Sequence, residues 1–110
     1  MKKSILIVGM LFSSVTFASE QVGKVIDIRV SAIPSYNPTH IKLDGPWNNK
    51  PGCATQPYWA VDTNTEGGKA FLSAILTAYS TGKTVQIWGS DQCTLRGDME
   101  NALQVALPQQ

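Results

Sequence analysis

Residues able to do chemistry are sparse in this sequence. His40 is its one histidine. A Ser-His-Asp or Cys-His arrangement would have to be built on it, and such arrangements depend on a mutual geometry that one histidine cannot establish. In HIKLDG, residues 40–45, Ile41 and Leu43 alternate with His40, Lys42 and Asp44. That pattern sets His40 on the outward face of a strand, with no carboxylate placed to orient it. Asp98 and Glu100 are close enough to suggest paired acid–base work. At the start of a strand they read better as solvated charge. YSTGKT, 79–84, lacks the first glycine of a phosphate-binding loop and precedes a strand instead of opening a helix, so it reads as a helix stop and a turn. No catalytic residue and no cofactor are assigned.

Two cysteines and one histidine do not make a four-ligand zinc site of recognisable spacing, so no metal site is assigned either. The start of the chain points to another role for Cys53 and Cys93. MKKSILIVGMLFSSVTFA has two lysines, an apolar run from Ile5 to Phe17, and small residues at Thr16 and Ala18. This is the pattern of an export leader, 1–18, cut before Ser19. The run is shorter than the roughly 18 to 20 residues that span a bilayer, so no membrane span is expected after cleavage. In an exported chain an even cysteine count reads as a disulfide. Closing a loop of about 40 residues stabilises a fold by roughly 4 kcal/mol in the chain-entropy model.

The remainder, 19–110, carries seven Lys/Arg and eight Asp/Glu, for a net charge of 7 − 8 = −1. It is one small domain, and without basic runs it is a poor match to nucleic acid. Aromatic side chains are the stronger binding signal. Trp47 lies in a loop, Tyr58 and Trp59 are adjacent, and Trp88 points outward from a strand. Such rings mark sugar stacking or a protein interface, or else loops fold back over them to complete a small core. Strand alternation forces Tyr58 and Trp59 to opposite faces.

The elements that position these residues follow from periodicity. The segment 22–33 alternates, with Ile26, Ile28 and Val30 expected inward and Asp27 and Arg29 outward. Strands follow at 40–45, at 58–62 with Trp59 and Val61 on one face, and at 83–90 with Val85 and Ile87 inward. Residues 99–108 fit a helix by propensity and a strand by alternation; a strand completes the architecture. Between the third and fourth strands lies a helix, capped by Thr65 or Thr63, with Glu66 in its first turn and Gly82 at its end. The order β-β-β-α-β-β is that of the OB-fold, a five-stranded barrel. The rival is a three-strand meander packed on two helices.

The helix carries more apolar surface than one sheet needs. At 100° per residue, Lys69, Ser73, Thr77 and Ser80 fall within about 80° of arc. Apolar residues fill about 200° of the rest, against the 100° or so that one packed face requires. The excess flank, with Leu72, Leu76 and Tyr79, is expected to meet a neighbouring subunit; the loop of residues 45–57 is the alternative cover.

Taken together, the leader, GKVIDIRV, CATQPYWAVD, GGKAFLSAILTAYSTGKTVQIWG, the second cysteine and ENALQVAL resemble a group of small exported bacterial proteins. More distantly, the stretch from about Ala70 to Ile87 is similar to the binding subunits of AB5 toxins, that of subtilase cytotoxin in particular. The second resemblance implies a ring of five OB barrels with helices around a pore. It implies no sugar-binding residue here, because no glycan motif matches. The expectation is an exported, non-enzymatic module, periplasmic or extracellular, that binds a glycan or protein and forms a toxin-B-like homo-oligomer; the alternative is a monomeric periplasmic or secreted protein-binding or structural module.

Overall fold

The computed structural model describes residues 19–33 and 38–109. The leader reading of 1–18 lies outside the described residues, as does part of the turn expected after the first strand. The described residues are mainly β, with one helix and one disulfide. Its elements are β1 (Ser19–Arg29), β2 (Thr39–Leu43), β3 (Trp47–Asn48), β4 (Trp59–Val61), α1 (Glu66–Thr81), β5 (Thr84–Gly89) and β6 (Glu100–Ala106). The ambiguous C-terminal segment is a strand, and the two-helix rival falls with it.

β1 is long because it serves two partners. Its first half, Ser19 to Lys24, pairs antiparallel with β5, and its second half, Val25 to Arg29, pairs antiparallel with β2. β2 pairs with β4, β4 runs parallel to β6, and β6 pairs with β5. These pairings link five strands in a ring, and the two-residue β3 adds to β1 at Glu20 and Gln21.

Two strands depart from strict alternation, at one residue each. In β1, Val25 pairs with Leu43 and Asp27 with Lys42, so Ile26 is an unpaired bulge. In β6, Gln104 pairs with Trp88 and Ala102 with Gly89, which leaves Leu103 as the extra residue. The expectation for 22–33 is corrected accordingly. Val25 is buried, Ile28 packs on the core, and Ile26 is 48% exposed. Val30 lies beyond the strand and is exposed. In β6 the bulge leaves Leu103 53% exposed while Ala102 and Val105 pack on the core.

The core gathers Val25, Ile41, Leu43, Trp59, Val61, Val85 and Ile87 from the strands, and Phe71, Ile75 and Ala78 from the helix. Full burial of a Phe or Ile side chain stabilises by roughly 1.5–3 kcal/mol, so Phe71 and Ile75 hold the helix to the sheet. Thr65 caps the helix, its hydroxyl oxygen accepting from the Gly68 N–H at 2.9 Å. Gly82 ends it at φ 69°, a left-handed conformation that glycine adopts without strain. The polar stripe of Lys69, Ser73, Thr77 and Ser80 faces solvent. Leu76 and Tyr79 are 48% and 55% exposed, and Leu72 is half-buried. The 45–57 loop therefore does not cover this flank.

Polar side chains enter the interior where the sequence pattern gives no sign of them. Gln21 is buried; its Oε1 accepts the Trp59 indole N–H at 2.8 Å, and its Nε2 donates to Gly45 O at 2.7 Å. Glu100, read from sequence as a solvated carboxylate, is fully buried. It opens β6 beside Gly89, where an added Cβ would overlap its carboxylate, and the missing side chain makes the space. No helix among the described residues is long and apolar enough to cross a membrane.

Candidate functional site

The outer face of β1, β2 and β4 carries two cross-strand rows. Arg29 lies opposite His40, and Asp27 lies opposite Lys42. His40 in turn lies opposite Ala60 on β4, so Tyr58, two residues earlier, is its diagonal neighbour. Their rings stand 5.9 Å apart between centroids, at 55°. The Tyr58 hydroxyl donates to Asp27 Oδ2 at 2.6 Å, and Arg29 Nε reaches the same oxygen at 3.1 Å. The guanidinium carbon of Arg29 lies 5.5 Å from the centre of the Tyr58 ring, and Lys42 Nζ lies 5.9 Å from it. The Tyr58 hydroxyl holds the Asp27 carboxyl below its usual range, with Arg29 assisting, while the same bond raises the phenol above its own.

Above this face is a concavity of about 510 Å³. One wall is the sheet and its continuation: Arg29, Val30, Ser31, Ile33, Pro38, His40 and Tyr58. The other comes from two loops, through Gln56 and through Arg96, Asp98 and Met99. Two bonds tie those loops to each other, and two more brace the second loop against β6. Cys53 and Cys93 form a disulfide with Cα atoms 6.1 Å apart. Gln56 N–H donates to Asp98 O at 3.0 Å. Asn101 Oδ1 accepts from Leu95 N–H at 3.1 Å while its Nδ2 donates to Thr94 Oγ1 at 2.7 Å. These contacts bring Arg96 across to the sheet wall, where its Nη1 stands 3.1 Å from Nε2 of His40. Burial holds the His40 ring below its ordinary pKa, and the Arg96 charge adds to the effect.

Such an arrangement suits recognition of a polar ligand. Two guanidinium groups present donors, Asp98 presents acceptors, and the half-buried Tyr58 offers a ring face. Asp98 Oδ1 is 3.7 Å from Arg96 Nε and accepts no hydrogen bond among the described residues.

Of the four aromatic candidates, only Tyr58 lines this concavity. Trp59 is fully buried, so its ring is core rather than ligand surface. Trp47 stacks on it, centroids 4.2 Å apart at 18°, and Lys50 Nζ lies 4.7 Å from the Trp47 ring. Those two indoles thus close one end of the core. Trp88 is half-buried on β5, opposite Glu20 of β1 and Gln104 of β6, away from the lining residues. The sequence reading does not pick out Arg29, Gln56, Arg96 or Met99. The signal available for Arg29 is its outward phase in β1, shared with the His40 side of β2. Arg96 sits in a loop, where periodicity says nothing.

No protein-family model matches the chain, and neither a curated protein nor a solved structure matches it.

Proposed function

We propose that this chain is a non-enzymatic binding module on an OB-type barrel, taking a glycan in the concavity between the outer face of β1, β2 and β4 and the loop that precedes β6. The concavity itself, with Tyr58 between Arg29 and Arg96, is the observation that carries the reading. The ring of pairings supports the barrel, since a helix between the third and fourth long strands and a parallel β4–β6 pairing agree with OB topology. In OB-folds the middle strands and the flanking loops form the ligand face. A sugar ring stacks on an aromatic face while its hydroxyls bridge donors and acceptors, and both are present here. The net charge of −1 over 19–110 weighs against an extended polyanion.

The same reading makes the chain exported and homo-oligomeric, in the manner of a toxin binding subunit. The exposed flank of Leu76 and Tyr79 supports assembly, since large apolar side chains on one helix face are costly to leave in water. A glycan array probed with the chain, followed by titration calorimetry on any hit, tests the ligand. Selective hits lost in Tyr58→Ala and Arg96→Ala are expected. An array without hits, or hits indifferent to both substitutions, removes the proposal.

A further inference from the structure

Glu100 is the most confined ionisable side chain among the described residues, and its surroundings are lopsided. It is fully buried, and Ser19, at the first residue of β1, is 2% exposed. Oε2 accepts from Ser19 Oγ, and also from the Asp91 N–H at 2.8 Å. Oε1 is buried too, and it has no partner among the described residues. Gly89, which pairs with Ser19, leaves the space the carboxylate fills. A buried carboxylate with one oxygen unsatisfied is costly, and native structures rarely retain one without a purpose. The missing partner should be a donor, and a cation would serve best.

The chain can supply one at this place. Resting on the export reading, cleavage before Ser19 turns its backbone nitrogen into an α-ammonium group. A serine nitrogen lies about 2.8–3.7 Å from its own Oγ, depending on χ1, and that Oγ already touches Glu100 Oε2, one carboxylate width from the unpartnered Oε1. We infer that Glu100 is a built receptor for the free amino terminus at Ser19, so that leader removal completes a buried ion pair and locks the first strand to the last. The charge appears only on processing and only at this residue. Cleavage one residue away would carry the ammonium about 3.3 Å along the strand and out of reach.

The sign of its pH dependence follows. An amine that gains an anionic partner has its pKa raised in the fold. The stabilisation is therefore complete below the usual α-amino range of about 7.7–8.0 and is lost as pH rises through the folded value. The experiment compares two chains exported through their own leader: the natural one, and one with a threonine inserted between Ala18 and Ser19. Intact mass identifies each terminus, and thermal unfolding is then followed at pH 6.5 and pH 10. The natural chain should melt higher by about 4–8 °C at pH 6.5. The gap should close at pH 10 and in the Glu100→Gln background. Should Glu100→Gln not fold, the two-pH comparison of the insertion decides alone. Equal melting temperatures at pH 6.5, with Ser19 confirmed as the terminus, overturn the ion pair and leave the export reading standing. A natural terminus elsewhere overturns both.

Discussion

Nη1 of Arg96 lies 3.1 Å from Nε2 of His40, across 56 residues of chain. A guanidinium has donors only and stays charged, so the ring nitrogen facing it accepts, and the proton of His40 sits on Nδ1. Protonating Nε2 would set two cations against each other. His40 is therefore expected to titrate below its ordinary 6.5, chiefly through burial and then through Arg96. A histidine whose pKa is depressed in the fold stabilises above its unfolded value of about 6.5, and that contribution is lost as pH falls through the folded value. NMR titration of the ring should give a midpoint under 6.5 that moves upward in Arg96→Ala. A wild-type midpoint at or above 6.5 would contradict the geometry.

Gln21 links the indole of Trp59 to the carbonyl of Gly45. Replacing it by alanine strands a buried N–H, which costs about 1–3 kcal/mol. Urea unfolding of Gln21→Ala should show that loss with an unchanged slope. A stability equal to wild type would mean that water takes over the indole.

Gly89 admits no side chain while Glu100 keeps its place. Gly89→Ala should destabilise by about 1–3 kcal/mol, as overpacking in a closed interior does. Calorimetry on Gly89→Ala alone and with Glu100→Ala would show the second change recovering part of the loss. Additive losses would separate the two residues.

Leu76 and Tyr79 each leave about half of their surface open to solvent. Leu76→Lys with Tyr79→Lys should alter monomer stability by no more than about 0.5 kcal/mol per site, the usual scale for surface changes. Light scattering should nevertheless show a smaller assembly than wild type. A wild-type protein that is already monomeric would remove the subunit interface.

Much of the fold was legible because its signals are local. A threonine cap at Thr65 or Thr63, which the structure resolves to Thr65, the stop at Gly82, and the inward Val85 and Ile87 each follow from a few neighbouring residues. The disulfide was legible because two cysteines allow one intrachain pairing. What escaped depends on partners remote in the chain. Ile26 looks like the inward member of its run until β2 fixes the register, and Glu100 looks solvated until Ser19, Gly89 and Asp91 surround it. The candidate site was half legible. His40 is outward by phase, and alternation sets Tyr58 opposite Trp59 without fixing which of the two faces out, whereas Arg96 reaches them only through a loop whose path is set by Asn101 and the disulfide.

The disulfide ties two loops of one wall to each other, and that wall differs in mechanical character from the one it faces. The sheet wall of the concavity is stiffened along its length by backbone pairing. The facing wall is a cantilever of loops, tied near its free end by Cys53–Cys93 and braced by the Gln56–Asp98 and Asn101 contacts. Cutting that tie breaks no strand pairing directly, although it lowers the stability of the whole fold by roughly 4 kcal/mol in the chain-entropy model, and the cantilever is the part it frees. Grip and rigidity of the frame then become separable: a reducing solution slackens the first before it reaches the second.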